Sequence, residues 1–228
     1  MKNLLTLTLL TAFLFACNTP SKKDPEASAS PENVSEANTA KTETTTPAAN
    51  LKPIDSDEAL IATALLAAPA ESRAGAKVIG YNMAGEFVTL KEGDNEFIIL
   101  ADDPKKEGFS AAAYHKDLEP FMARGRALKA EGKSAKEIFD IREEEVKAGT
   151  LPMGKMGATL HIYYGAKTVY DPATAEVDGA QYRYVVYMPF ATAASTGLPE
   201  RPMAANHPWI MNPGTHRAHI MISPVKGE

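Results

Sequence analysis

Histidines near the two ends of the later half of the chain are the side chains best suited to bind a metal. His216 and His219 are three residues apart, and His115 is followed closely by Asp117 and Glu119. If the segment around His115 is extended, the side chains at 115, 117 and 119 point to the same side. Two imidazoles and a carboxylate form a known metal-ligand set. The candidate metal ligands are therefore His115, Asp117, His216 and His219.

The alternative interpretation is that these histidines have a structural role. No HExxH spacing occurs, and the segment around His216 and His219 reads as a loop running into a strand, so the two rings do not share a helix face. Histidines satisfied by local hydrogen bonds are therefore the favoured interpretation, and a metal-binding protein or metal-dependent enzyme is the alternative. Whether the chain is an enzyme stays open at this point.

Aromatic side chains suggest a binding role instead. Six of the eight tyrosines lie between Tyr163 and Tyr187, in or between two predicted strands. Tyr163 and Tyr184 could belong to a platform for sugar or peptide, although Tyr184 and Tyr187 must point to opposite faces of one strand. Trp209 is the other candidate, either exposed for binding or closing the end of the sheet.

Several other chemistries lack their motifs. The chain has no Gly-x-Ser-x-Gly elbow, no phosphate loop and no GxGxxG. A net charge of −5 provides no field that would attract nucleic acid. The single cysteine excludes an internal disulfide. Met153 and Met156 could bind Cu(I), but scattered methionines are more typical of core filling.

The single cysteine, Cys17, directly follows an apolar run. Lys2 precedes residues 4–16, which carry no charge. About 20 apolar residues are needed to span a bilayer, so this run is too short for a membrane helix and has the size of a signal-peptide core. A buried core helix is the competing interpretation, and the polar sequence that follows argues against it.

The residues Leu14-Phe15-Ala16-Cys17 resemble the lipobox of bacterial lipoproteins. The resemblance implies cleavage before Cys17, a diacylglycerol on its thiol and a fatty acyl chain, such as palmitate, on its new amino group. Two or more acyl chains give stable membrane attachment. By the sorting rule of enteric bacteria, Asn18 in place of Asp implies the outer membrane. Residues 1–16 are thus predicted to be a signal peptide.

Residues 17–53 are predicted to form the lipidated cysteine and a disordered tether. Residues 18–53 are rich in Ser, Thr, Pro, Ala and Glu, with no aromatic residue. Such a segment cannot bury enough apolar surface to offset the entropy of ordering it. Random-coil scaling gives a mean reach of about 30 to 35 Å, enough to hold a domain clear of the lipid headgroups.

Residues 54–228 are predicted to form one globular domain. A helix begins near Asp55, with Glu58 completing a cap, and ends at Pro69. Strands at 76–82, 86–90 and 96–100, joined by short turns, indicate an antiparallel meander.

The middle of the domain is predicted to be a pair of helices. One begins at Pro120 and ends before Gly132, and the other begins with the capping box of Ser134 and Glu137. The charged run at 142–145 is typical of a solvated helix face.

Further strands are predicted at 158–164, 182–189 and 217–223. This order of elements predicts an α+β fold with a mainly antiparallel sheet.

Two stretches of the domain, YHKDLEPFMARGRAL at 114–128 and PWIMNPGTHRAHIM at 208–221, resemble segments of an uncharacterised family of secreted bacterial proteins. The resemblance covers most of residues 55–224 and implies a shared domain without an established activity. We therefore expect a membrane-anchored envelope lipoprotein with a ligand-binding, partner-binding or structural domain, whose partner could be a glycan or an envelope protein. No cofactor is expected beyond the covalent lipid on Cys17.

Overall fold

The structure, a computed structural model, describes residues 50–224. The predicted signal peptide, Cys17 and nearly all of the predicted tether lie outside this range. Among the described residues, none of the helices has both the length and the apolar character that crossing a membrane requires.

An eight-stranded sheet organises the domain, and its strands run in the order β3-β2-β4-β5-β6-β8-β10-β9. Two further short strands, β1 and β7, pair separately with each other. The strands are β1 Lys52–Pro53, β2 Lys77–Tyr81, β3 Phe87–Lys91, β4 Phe97–Leu100, β5 Phe109–His115, β6 Thr159–Gly165, β7 Val169–Tyr170, β8 Gln181–Tyr187, β9 Trp209–Met211 and β10 His219–Ile222. Among the strands of residues 50–224, only β2 and β4 pair in parallel, so the predicted α+β fold with a mainly antiparallel sheet is confirmed.

In the described part of the chain, four α-helices accompany the sheet: α1 Asp57–Leu65, α2 Glu119–Ala130, α3 Ala135–Lys147 and the single turn α4 Ala193–Thr196. Ser134 and Glu137 form the predicted capping box of α3. The cap of α1 is Ser56 rather than the predicted Asp55, because the Ser56 hydroxyl accepts the hydrogen bond of the Ala59 N–H, at 3.2 Å.

Two apolar cores lie on opposite faces of the sheet because successive strand residues alternate in direction. One core, on what we call the α1 face, includes Ala64, Val78, Ile99, Ala113 and Tyr163. The other, on the α2 face, includes Tyr114, Phe121, Val185, Tyr187 and Met221.

The predicted antiparallel meander is wrong, because β4 returns to the far side of β2 and pairs with it in parallel. Gly93 permits this crossing. A Cβ atom at Gly93 would lie only 2.3 Å from the Lys77 N and 2.4 Å from the Gly75 O. The Asp94 N–H donates to that same Gly75 carbonyl at 2.9 Å. The connection thus passes against the start of β2, where only a glycine fits.

The condition under which residues 115, 117 and 119 would point to one side, an extended segment, is not met. His115 is the last residue of β5, residues 116–118 form a 3₁₀ turn, and Glu119 begins α2. Side chains at 115, 117 and 119 therefore do not form a row on one side of a strand. Strand β5 itself, central in the sheet, was not among the predicted strands, because its alanines give only a weak strand signal.

The charged run at 142–145 does not form a solvated face throughout, because Arg142 is buried. Its guanidinium occupies the space beside Gly125 of α2, where a Cβ atom would lie 2.8 Å from Nη1. Arg142 Nη1 donates to the Phe121 carbonyl at 3.2 Å. The missing side chain of one helix thus admits the arginine of the other.

Candidate ligand-binding cleft

A cleft of about 700 Å³ opens on the α2 face, between the second half of α2 and the edge of the sheet formed by β2 to β5. Its apolar wall consists of Tyr81, Phe87, Leu100, Ala101, Ala127 and Ala130. Its polar groups include Asp102, Asp103, Lys106, Ser110, Arg126 and Lys129. This volume and this mixture of apolar wall and few polar groups are typical of small-molecule sites.

Two aromatic rings stand at the outer edge of the cleft. Tyr81 and Phe87 are paired across the β2–β3 hairpin, and their rings meet edge to face at 5.3 Å. They are 39% and 44% exposed, unlike most large apolar side chains of the domain. The pair thus presents an open apolar surface next to the cavity.

Asp102, just after β4, is the polar group most deeply placed in the cleft. It is 6% exposed, and its Oδ1 accepts a hydrogen bond from the Ser110 N–H at 2.9 Å. Burial raises the pKa of Asp102 to about 6, although the hydrogen bond from Ser110 lowers it in part. No cation forms an ion pair with Asp102 within residues 50–224.

The neighbouring Asp103 has the opposite environment. Its carboxylate lies 2.9 Å from the Lys106 Nζ, and the hydrogen bond from Lys106 lowers the pKa of Asp103. Two consecutive carboxylates therefore differ in role. Asp103 is paired with Lys106 at the rim, whereas Asp102 is buried and free to receive a hydrogen-bond donor or a positive charge from a ligand.

A hydrogen-bond network fixes the position of Arg126, which lines the cleft. The Tyr114 hydroxyl donates to Glu119 Oε2 at 2.5 Å, and Arg126 Nη2 donates to Glu119 Oε1 at 2.5 Å. Arg126 Nη1 also donates to the Tyr114 hydroxyl oxygen at 3.2 Å. Burial raises the pKa of Tyr114 above its ordinary value, so the phenol keeps its proton. Arg126 is thereby held with its Cζ 5.6 Å from the Phe87 ring centroid.

The predicted metal residues separate into two groups. His115 Nδ1 lies 3.7 Å from Asp117 Oδ2, and His115 Nε2 lies 3.4 Å from Glu96 Oε2. The two carboxylates thus lie at opposite nitrogens of one ring and do not converge on a common point.

His216 and His219 lie in the α2-face layer. His216 is fully buried, with Nδ1 3.4 Å from Glu143 Oε2. His219 is hydrogen-bonded through Nδ1 to the Arg217 carbonyl at 2.7 Å. Burial lowers the pKa of both imidazoles.

The structure does not bring these two groups together. His115 pairs with Phe97 on the α1 face, whereas His219 pairs with Tyr187 on the α2 face. Strands β6 and β8 lie between them, and three strand spacings amount to about 14 Å. In the described part of the chain, no three His, Cys, Asp or Glu side chains are grouped so that they could hold a metal ion. Metal binding stays a prediction.

The predicted binding aromatics also differ in their surroundings. Tyr163 is buried and stacks on Tyr182 at 4.7 Å. Tyr184 continues this row on the α1 face and lies 5.2 Å from the His161 ring. Tyr184 lines a smaller pocket of about 300 Å³ there, whereas Tyr163 does not. Trp209 is half-buried against the α2-face core.

Sequence reasoning missed the cleft residues Tyr81, Phe87, Asp102 and Arg126. A partial signal was present, because Tyr81 and Phe87 flank the predicted turn at 83–85 and therefore face each other in any tight hairpin. Nothing in the local sequence around Asp102 and Asp103 distinguishes the buried carboxylate from the paired one.

Comparison of the chain with protein-family models, with curated proteins and with solved structures gives no match.

Proposed function

We propose that this chain is a lipid-anchored protein of the bacterial envelope whose folded domain binds a small amphipathic molecule in the cleft. The observation that carries the proposal is Asp102, an unpaired carboxylate buried at 6% exposure in a cavity with an apolar wall. A buried carboxylate without a cation is costly, and a ligand that supplies the missing donor recovers that cost.

The wall and the carboxylate together define the ligand class. The Tyr81–Phe87 edge favours an aromatic or aliphatic group. Asp102 favours a protonated amine or another strong donor next to it. The ligand class is therefore an aromatic or aliphatic amine small enough for about 700 Å³. An envelope glycan or protein is the partner class to test next if amines do not bind.

The proposed location is supported by the N-terminal sequence. Residues 14–17 match the lipobox pattern, and the polar residues 18–53 provide a tether between the anchor and the domain. Outer-membrane placement is the destination that Asn18 favours. A cleft that opens on a tethered domain is accessible to molecules dissolved in the surrounding compartment.

Isothermal titration of the full chain with phenethylamine and with the neutral phenethyl alcohol tests the cleft. We expect the amine to bind at least about tenfold more tightly, because only the amine can form a charge-assisted hydrogen bond with Asp102. Asp102→Asn should remove this difference. Asp103→Asn is the matched control and should keep it. Equal affinity of both compounds for the unaltered chain would exclude Asp102 as the anchor of the ligand.

The anchor is tested by Cys17→Ser. The variant cannot receive the thioether-linked lipid, so we expect it in the soluble fraction after cell lysis, whereas the unaltered chain sediments with membranes. Fractionation followed by immunoblotting measures this distribution. Membrane retention of the serine variant would contradict the proposed anchor and leave the cleft proposal unaffected.

A further inference from the structure

Two arginines without a carboxylate partner lie near His216, between the helices and the α2 face. Arg142 comes from α3, and Arg217 lies just before β10. Within residues 50–224, neither guanidinium forms an ion pair. Arg142 Nε, Arg217 Nε and His216 Nε2 are buried nitrogen atoms without a hydrogen-bond partner. Unsatisfied polar atoms of this kind are rare in folded proteins and require an explanation.

Two phenylalanine rings place these groups together. The Arg142 Cζ lies 4.0 Å from the centroid of the Phe121 ring, and the Arg217 Cζ lies 5.9 Å from that of Phe139. The His216 ring packs between the same two rings, at 5.6 Å from Phe121 and 4.7 Å from Phe139. Two positive charges therefore lie around one buried imidazole.

Two carboxylates of α3, Glu143 and Glu145, form their ion pairs with other residues. Glu145 receives three hydrogen bonds from Arg124, the shortest at 2.6 Å. Glu143 pairs with the Lys147 Nζ at 2.5 Å. Burial, and then the nearby charge of Arg217, lowers the pKa of Arg142 to about 10. Within residues 50–224, neither arginine of this cluster therefore has a carboxylate within ion-pair distance.

We propose that Arg142 and Arg217 bind a small oxyanion, either a carboxylate or a phosphate. The planar guanidinium fork matches the oxygen geometry of both groups. Arg142 is only 8% exposed, whereas Arg217 is half-buried and therefore partly accessible to solvent. The anion enters on the Arg217 side and replaces the absent carboxylate partner of the pair.

Thermal melting of the full chain in detergent tests this site. Sodium phosphate and sodium acetate are each compared with sodium chloride at equal ionic strength and constant pH. For a dissociation constant of about 1 mM and an anion at about 50 mM, we expect the midpoint to rise by about 5 °C. The anion that gives the larger rise identifies the oxyanion class. The absence of a rise with both anions would overturn the proposal.

Variants separate this site from a general salt effect. Arg217→Gln removes the half-buried guanidinium without opening the core, and we expect it to abolish the rise. Arg183→Gln is the matched control, because Arg183 also has a buried unpaired Nε and lies 4.9 Å from an aromatic ring, that of Tyr164, but has no second arginine of this cluster beside it. Arg183→Gln should keep the full rise. An equal rise in Arg217→Gln would overturn the proposal.

The two proposals can fail independently. Arg217 does not line the cleft, so Arg217→Gln should bind phenethylamine like the unaltered chain. If Arg217→Gln loses the anion response and still binds phenethylamine, the result supports the arginine site independently of the cleft. If Arg217→Gln keeps the anion response, the arginine site is contradicted, whether or not phenethylamine binds.

Discussion

Arg126 in the cleft and Arg142 in the helix layer are both placed over a phenylalanine ring, but their polar surroundings differ. Arg126 is bound by Glu119 and Tyr114, so all its charge is compensated within the fold. Arg142 has a single backbone acceptor and a second arginine nearby. Burial beside an aromatic ring therefore does not define the role of an arginine. The presence or absence of a carboxylate partner does.

The largest expected effect comes from filling the space that Arg142 occupies. Gly125→Val places a branched side chain where Cβ alone would lie 2.8 Å from Arg142 Nη1. We expect the free energy of unfolding to fall by about 3 kcal/mol through overpacking, and the anion response to be lost. Chemical denaturation measures the first effect.

The double variant Gly125→Val with Arg142→Met separates steric conflict from other causes. Removing the guanidinium should restore more than half of the lost stability, because the valine then meets an adaptable apolar side chain. If the double variant is as unstable as Gly125→Val alone, the conflict with Arg142 is not the cause.

Asp102→Asn gives the next largest effect on the free energy of unfolding, and the size of this effect depends on pH. Burial raises the folded-state pKa to about 6 from 3.8. The folded state therefore binds the proton more tightly, so this stabilising contribution is complete below pH 3.8 and is lost as the pH rises through 6. Asp102→Asn should raise the free energy of unfolding by about 1 to 2 kcal/mol at pH 7.5, after allowance for partial solvent screening.

Asp102→Asn should change the free energy of unfolding only slightly near pH 4, where Asp102 is protonated in the folded state. Asp103→Asn is the contrasting control. The pKa of Asp103 is lowered by Lys106, so its contribution is present above pH 3.8 and is lost only in stronger acid. A stabilising effect of Asp103→Asn equal to that of Asp102→Asn at pH 7.5 would show that burial of Asp102 is not responsible.

Glu119→Gln is expected to have the smallest effect of the three. It leaves Arg126 hydrogen-bonded but without its compensating charge. Both side chains are partly exposed, so we expect a loss of about 1 kcal/mol in denaturant unfolding. The variant also makes Arg126 resemble Arg142. A gain of a phosphate-dependent rise in melting temperature, additional to that of the unaltered chain, would show that an arginine without its carboxylate partner responds to an anion.

The elements with strong local signals were predicted well from the sequence. The capping box of Ser134 and Glu137 begins α3 as expected, because a cap is satisfied by residues three positions apart. The class of the fold followed from the order of such elements. Strand β5 was missed because its alanines carry little strand preference, while its neighbours β4 and β6 make it central.

The order of β2, β3 and β4 could not be obtained from the same kind of signal. Short turns favour a meander, but Gly93 passes against Gly75, a contact between residues far apart in the chain. The candidate sites depend in the same way on long-range contacts. Asp102 is buried by packing around β4 and β5. Arg142 is buried because Gly125, seventeen positions before it, leaves space for the guanidinium.

Local sequence is enough to establish the lipobox resemblance at Cys17, the polar composition of residues 18–53, the capping box of α3 and the α+β class, because each depends on residues close together in the chain. Long-range packing sets which of two adjacent aspartates is buried, which arginines have a carboxylate partner, and on which face of the sheet each histidine lies. The physical reason is that burial and charge pairing are properties of neighbours in space, and strand order and helix packing set those neighbours.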